Sequence, residues 1–329
     1  MIKRYLAYLL AAVLAIALIP MNMKAGKKKP EQKVRLVYWN IQNGMWDGQR
    51  DNYDRFVEWV KGKNPDICVW CEAGSHVATE AEGRLPKEER YLPAGWPELA
   101  KRYGHDYVFT SGCRDQFPQV ITSKYPIDTL GQFIGSQPDS VIMHGAGWAR
   151  LDVDGKSINI ITLHLQPYAY WRFLPDEKKE ESKKNYGGEK YRRMEMEWIL
   201  DHTVRTSENP ENELWMMMGD FNSRSRKDNF QYKWSAASQS FLVQNYIEES
   251  APYLYDVVAE MFPETFCPSH YGKSRIDYVY VTKPLLKSIT KVDPIPDSYT
   301  KCVPSGIGKF QRPSDHYPII VDFNLDKIK

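Results

Sequence analysis

Apolar runs of two periods divide the chain. Residues 34–39 are strongly β-prone and end in the turn Asn40-Ile41-Gln42-Asn43-Gly44. Tyr53, Phe56, Val57 and Val60 then recur at helical spacing, with Asp51 placed as a cap and Gly62 near the end. Pro65 opens a second strand over 66–71, which stops at Glu72. Shorter β-prone runs follow at 107–110, 119–123, 148–153 and 157–163, and Asp154-Gly155 between the last two marks a hairpin. The run ITLHLQP leaves His164 at a strand end. Residues 189–204 read as a helix that turns Met194, Trp198 and Ile199 inward. Next comes WMMMGDFN at 215–222, a buried strand running into a tight turn. The stretch from there to Ser274 is mostly helical or irregular. Residues 276–282 alternate as a strand, 284–313 are Pro-rich and irregular, and Ser314-Asp315-His316 precedes a last strand over 317–323. Two long insertions interrupt the pattern, at 74–103 and 168–190. No repeat or composition break demands a second folded domain.

The polar punctuation is of one kind. Asn40, Glu72, His164, Asp220 with Asn222, and Asp315 with His316 sit at or beside strand ends, and Asp277 begins another strand. Side chains alternate along extended chain, so Asp220 and Asn222 point the same way. One such residue is ordinarily a cap or an Asx turn. Six punctuations on apolar strands are better explained by one site. Carboxylate and amide oxygens suit a hard cation, Mg²⁺ first, with Mn²⁺ or Ca²⁺ as alternatives; zinc would ask for more His or Cys. The other histidines, His76, His105, His144, His202 and His270, read as ordinary. Aromatic residues at 168–171 fit a substrate cleft and a shielding core equally well.

Composition changes the picture in two places. The formal charge of +2 comes from the start of the chain, where residues 1–30 hold six basic residues and no acid. Without those six, 38 basic residues face 42 acidic ones, a net of −4, so the body is no general nucleic-acid binder. In the same segment Lys3 and Arg4 precede an apolar run over 5–19, followed by a lysine-rich linker. That is the form of a signal peptide and is shorter than a spanning helix of ~20 residues. We expect residues 1–30 to be a signal peptide or an N-terminal membrane anchor with a basic linker, residues 31–329 to be one domain, and the protein to be exported. The five cysteines cannot all pair with one another, and Cys68 and Cys71, three apart on a strand, face opposite sides. They read as buried residues, not as a metal or redox site.

The ordered motifs resemble the endonuclease/exonuclease/phosphatase superfamily of metal-dependent phosphoesterases. They are WNIQNG at 39–44, PDI…E at 65–72, SKYPI at 123–127, TLHLQ at 162–166 (a THLQ motif one residue longer), GDFN at 219–222, RIDYV at 275–279 and SDHYP at 314–318. The resemblance covers 34–323. It implies an α/β fold, a four-layer α/β/β/α sandwich of two mixed β-sheets with helices on the outer faces. It implies metal ligation by Glu72 with Asn40 and Asp315. Asp220 would orient or deprotonate water, and Asn222 would hold the phosphate or that water. His316, paired with Asp277, would stabilise phosphoryl charge, and His164 would protonate the leaving oxygen. The implied substrate is a phosphate ester: nucleic acid, phospholipid head group or sugar phosphate. No protein partner is implied, and the N-terminal segment would bring the enzyme near a membrane. Where many relatives carry a Gly-Asn or Gly-x-Ala pattern, this chain reads FPQVITSKYPI, which leaves substrate contacts there unassigned. The rival reading is a non-catalytic surface-binding protein that retains the fold. A Ser/His/Asp hydrolase would need a GxSxG elbow, and the sequence has none.

Overall fold

Strand β1 (Lys33–Asn40) is buried on both faces, and its two faces serve two different cores. Val34, Leu36 and Tyr38 enter one core; Val37 and Trp39 enter another. A strand apolar on both faces belongs in the middle of a covered sheet. In a computed structural model of the protein, which describes residues 31–74, 95–112, 117–134, 141–167, 175–184, 188–306 and 310–328, β1 takes that place.

Two six-stranded sheets form. The first runs β11 (Ile289–Asp293), β14 (Ile319–Asn324), β1, β2 (Ile67–Cys71), β4 (Val120–Ser123), β3 (Tyr107–Thr110). The second runs β5 (Ile127–Phe133), β6 (Ala146–Val153), β7 (Lys156–His164), β8 (Leu214–Asp220), β10 (Asp277–Thr282), β9 (Leu254–Asp256). A short ribbon pairs β12 (Val303–Pro304) with β13 (Gln311–Arg312). The pairs β1/β2 and β7/β8 are parallel and the other pairings antiparallel, so both sheets are mixed.

Three cores account for four layers. Leu36, Val69, Ile121 and Val321 of the first sheet meet Ile160, Met216, Met218 and Val279 of the second. Helices α1 (Asp54–Lys63) and α2 (Trp96–Arg102) cover the outer face of the first sheet through Phe56, Val60, Trp96 and Leu99. A short charged helix, α3 (Asp176–Lys183), follows β7. Then α4 (Glu189–His202) and α5 (Leu242–Ser250) cover the second sheet through Met196, Ile199, Leu200, Val243 and Ile247. The expected α/β/β/α sandwich is the observed one.

Several local expectations fail for identifiable reasons. Edge strands β5 and β11, with partly exposed faces, lack a continuous apolar run, and β9 is only three residues long, so none of the three reads as a strand in the sequence. Helix α4 is rotated: Met194 lies outside at 39% exposure, while Glu189, Arg192 and Glu195 point inward beside Met196, Ile199 and Leu200. Buried polar partners outbid one methionine. Tyr53, not Asp51, precedes the first turn of α1; Asp51 instead accepts from Arg55 Nε at 2.8 Å. Cys68 and Cys71 do face opposite cores, and both are unbridged. No helix among the described residues is long and apolar enough to cross a membrane; the apolar run at 5–19 lies outside them, as do the aromatic residues at 168–171 and His76.

Candidate active site

Register carries the first half of the site. His164 pairs with Asp220 across β7/β8, and Asp220 pairs with Asp277 across β8/β10. Paired residues project from the same face, so the three form one row. Their alternation partners Ile160, Met218 and Val279 all face the inter-sheet core, and the row therefore points into the gap between the sheets at its end. Gly219 permits the close approach of β7 and β8: a Cβ there would lie 2.0 Å from the Leu163 carbonyl oxygen.

The first sheet supplies the opposite wall. Asn40, on the inward face of β1, donates through Nδ2 to Glu72 Oε1 at 3.1 Å and to Asp220 Oδ2 at 3.2 Å. Its Oδ1 accepts from Gln42 N at 3.0 Å. Asn40 thus clasps two carboxylates from different sheets. Glu72 sits just past β2 with φ 55°, a left-handed turn that a non-glycine residue adopts only at a cost of ~1–3 kcal/mol. The turn brings its Oε2 to Asn43 N at 3.0 Å. Gln42, Asn43 and Asn222 are left-handed too, so backbone strain gathers around this cleft.

The segment 314–316 closes the site. Ser314 Oγ donates to Asn40 O at 2.7 Å, and Trp39 Nε1 donates to His316 O at 2.9 Å. His316 Nδ1 and Asp277 Oδ2 are 2.7 Å apart. Asp277 also accepts from Tyr38 Oη at 2.6 Å and Ser269 Oγ at 2.7 Å. With Nδ1 committed to Asp277, His316 turns Nε2 toward Asp220 Oδ2 at 3.7 Å and Asp315 Oδ1 at 3.8 Å. His164 Nε2 lies 3.8 Å from the same Asp220 oxygen.

The electrostatics follow from crowding. Burial raises the Asp220 carboxyl well above its usual range, and Asp277 adds to that. Burial likewise lifts Asp315 to about 6, opposed by His316 and reinforced by Glu72. Burial disfavours the His316 cation, but Asp277 and Asp315 outweigh it, and the ring titrates well above an ordinary histidine. His164 goes the other way: burial first, then His144 and His316, hold it neutral. One imidazolium and one neutral imidazole therefore flank Asp220.

The donor set fits a divalent cation. Among the described residues three clusters have ligand atoms mutually within 4.8 Å and carboxylate oxygens among them: Glu72 with His164 and Asp220, Asp315 with His270 and His316, and Asp220 with Asp277 and His316. Glu72 and Asp315 fall in different clusters, and Asn40 turns its amide nitrogen, not its oxygen, toward Glu72. Asp315 Oδ1 and His164 Nδ1 are buried without a hydrogen-bond partner, as a ligand-binding centre leaves them.

All of Glu72, His164, Asp220, Asn222, Asp315 and His316 line one cleft of about 610 Å³, with Asn40 and Asp277 directly behind it. Residues read as ordinary from sequence are there as well. His144 stacks on His164 with ring centres 4.5 Å apart, and His270 packs edge-on against His316 at 4.9 Å. Neither ends a predicted strand, so only the fold reveals them. His105, bonded to Thr122 and Pro65, and exposed His202, stacked on Trp198, are structural.

Helix α4 holds the second-sheet wall from behind. Glu195 accepts Met143 N and Gln166 N, both at 3.0 Å. Arg192 donates to Gln166 O at 2.7 Å, and Ser223 Oγ donates to Glu189 at 3.0 Å. This i, i+3, i+6 stripe grips the segments that carry His144, His164 and Asn222. A polar position within an apolar helical stripe was the available signal.

Residues 37–316 match the model of the Endonuclease/Exonuclease/phosphatase family. The chain belongs to that family. Its type is therefore a hydrolase of phosphoester bonds. No curated protein sequence matches the chain. Among solved structures it is similar to an AP endonuclease from Archaeoglobus fulgidus, with 17% identity, TM-score 0.56, and coverage of 88% of this chain and 99% of that one. A 3′ phosphatase from Neisseria bound to a product DNA hairpin gives 17% identity, TM-score 0.55 and coverage of 88% and 99%. The human Nocturnin catalytic domain with bound sulfate gives 14%, 0.54, and 89% and 93%. At these identities the family member and its neighbours share a fold.

Proposed function

We propose that the protein is an exported, divalent-metal-dependent phosphoesterase that hydrolyses a phosphodiester or phosphomonoester by in-line attack of water. The observation that carries this reading is the row His164–Asp220–Asp277, met from the other sheet by Asn40, Glu72 and His316. Glu72 and Asp315, with Asn40 aligning Glu72, would hold the cation, Mg²⁺ before Mn²⁺ or Ca²⁺. When bound, it supplies positive charge at the phosphate and lowers the pKa of associated water.

The chain's own residues do the rest. Asp220, fixed by Asn222 N at 2.9 Å and by Asn40, accepts the proton of the attacking water. Its raised affinity for protons suits a base, and a cation held beside it would lower that affinity. His316, kept charged by Asp277, donates Nε2–H to a phosphoryl oxygen as charge develops. His164, held neutral, has no acidic proton of its own; it would pass to the leaving oxygen the proton that Asp220, 3.8 Å from its Nε2, takes from the water. Asn222, whose Nδ2 is anchored on Leu165 O at 3.0 Å, presents its remaining amide edge to the phosphate. No covalent nucleophile is needed, because phosphoryl transfer is mostly positioning and electrostatics.

One structural neighbour is a 3′ phosphatase bound to a product DNA hairpin, and this supports a nuclease-like substrate; the net acidic body weighs against long duplexes, and a sphingomyelinase-like lipid head group is the other class. The purified full chain with Mg²⁺ is to be assayed on plasmid DNA, short oligonucleotides, sphingomyelin vesicles and a sugar-phosphate panel. Turnover that EDTA abolishes is expected on at least one class. No turnover on any with Mg²⁺, Mn²⁺ or Ca²⁺ would leave the fold-retaining binder as the correct reading.

A further inference from the structure

Among the described residues nearly every arginine has an acidic partner. Arg35, Arg50, Arg55, Arg102, Arg150, Arg192, Arg193, Arg205, Arg226, Arg275 and Arg312 each have a carboxylate within 4.0 Å. Among the described residues Arg224 is the exception. It is half-buried, makes no ion pair and no side-chain hydrogen bond there, and lines the catalytic cleft. Glu189, whose carboxylate feels the Arg224 charge, is already bonded to Arg192 and Ser223.

Its placement is built, not accidental. Arg224 follows Asn222 by two residues, and its backbone N–H is bonded to Ser240 O at 3.3 Å. The guanidinium carbon lies 5.6 Å from the centre of the Trp234 ring. Trp234 is itself fixed: its N–H donates to Asn229 Oδ1 and its carbonyl accepts from Asn229 Nδ2, both at 2.9 Å. Its ring also stacks with Tyr232 at 4.9 Å. A guanidinium resting on an aromatic face keeps its in-plane N–H donors for another ligand. Five donors left without an acceptor on the wall of the catalytic cleft are the chemistry of anion capture.

We propose that Arg224, seated on Trp234, is the subsite for a second phosphate of the substrate, adjacent to the one being hydrolysed. This rests on the phosphoesterase reading above and narrows it to esters that carry neighbouring phosphates. His270, across the cleft, offers no competing negative charge. The Arg224 fork is suited to a dianionic terminal phosphate or to the next diester along a strand, and a sphingomyelin head group has no second phosphate to fill it.

The test uses two chromogenic substrates with the same scissile bond: thymidine 5′-(p-nitrophenyl phosphate) and its 3′-phosphorylated form. The full-length wild type with Mg²⁺ should prefer the 3′-phosphorylated substrate in kcat/KM. In Arg224→Met that preference should fall about tenfold or more, and Arg224→Lys, which keeps charge without the fork, should lie between. Equal losses on both substrates in Arg224→Met would overturn the proposal, since Arg224 would then act on the scissile phosphate or on folding. If the wild type turns over neither substrate, the diesterase reading fails. The subsite is then judged by equilibrium dialysis of thymidine 3′,5′-bisphosphate against thymidine 5′-monophosphate. An unchanged affinity ratio between wild type and Arg224→Met would sink it.

Discussion

Two clusters of buried charge lie a few residues apart in sequence, and they are built on opposite principles. In one, Arg275 at 1% exposure donates through Nε to Asp228 at 2.8 Å and through Nη1 to both oxygens of Asp256 at 2.9 and 2.7 Å, and it packs 4.5 Å from the Tyr278 ring. In the other, four carboxylates, Glu72, Asp220, Asp277 and Asp315, meet one imidazolium, His316. The first cluster is closed on its acids: Arg275 hydrogen-bonds both Asp228 and Asp256, and only its own Nη2 is left without a partner. The second is open: it holds four acids to one cation, against two to one in the first. A buried network that stabilises a fold satisfies its own charges, whereas a network left unsatisfied is waiting for a ligand. The contrast says which acids belong to architecture and which to chemistry, a distinction that motif matching alone does not make, since Arg275 and Asp277 share the same RIDYV run.

The largest effects should separate the two clusters by readout. Asp220→Asn should lower turnover on the order of 10³-fold, as loss of a positioned base does, while its unfolding midpoint stays level or rises because one buried like charge is gone. Steady-state kinetics beside thermal unfolding of the same sample decides it; retained turnover would take Asp220 out of the role assigned here. Arg275→Met should do the reverse at the level of stability. It strands Asp228 and Asp256 without their cation and should destabilise by about 3–5 kcal/mol in urea unfolding. A loss below about 1 kcal/mol would mean that the Arg275 cluster relaxes or hydrates, and the comparison would lose its closed member.

The third effect concerns the carboxylate that ties the helix to the cleft. Glu195 is fully buried and accepts two backbone N–H groups but pairs with no cation, and burial pushes its carboxyl up to about 7 from 4.5. A raised acid favours the folded state where it is protonated in both states or protonated only when folded. Its contribution is therefore fully present below pH 4.5 and is lost as pH rises through about 7. The shift corresponds to about 3 kcal/mol between those limits. Glu195→Gln removes the titration, so the fall in urea midpoint between pH 4.5 and 7.5 should be shallower in the variant than in the wild type. Parallel curves would show that Glu195 titrates normally and that the stripe on α4 is held by other means.

How much of this was legible beforehand depended on whether position along the chain encoded direction in space. Strand parity did: Asp220, Asp277 and His164 end or begin strands whose apolar alternation fixes their face, and register puts them in one row. The central strands were readable because both faces are apolar; β5, β9 and β11 were not, because edge strands carry weaker patterns. Side chains placed by turns were opaque. Glu72 would share the outward parity of Trp70, and only a left-handed turn brings it to Asn43 and Asn40. His144 and His270 arrive from loops, where sequence spacing says little about distance. The inward Glu189, Arg192 and Glu195 were masked by a simple rule that apolar residues define the buried side of a helix, and they broke it because the cleft wall offers them partners: the backbone of Met143 and Gln166 and the hydroxyl of Ser223.

The smallest predicted effect is the most discriminating for the open cluster. A divalent cation that binds only the folded protein raises stability by about 2.7 kcal/mol at a hundredfold excess over its Kd. Part of that gain is relief of repulsion among Glu72, Asp220 and Asp315, so it should shrink in Glu72→Gln and Asp220→Asn, which have already lost one of the repelling charges. The closed cluster predicts the opposite: Arg275→Met, though less stable at the start, should gain as much from Mg²⁺ as the wild type does. Thermal unfolding of the four proteins across a Mg²⁺ series measures each increment against its own metal-free midpoint. If Arg275→Met loses the increment and Glu72→Gln keeps it, the cation sits elsewhere, and the excess negative charge around Asp220 needs another explanation.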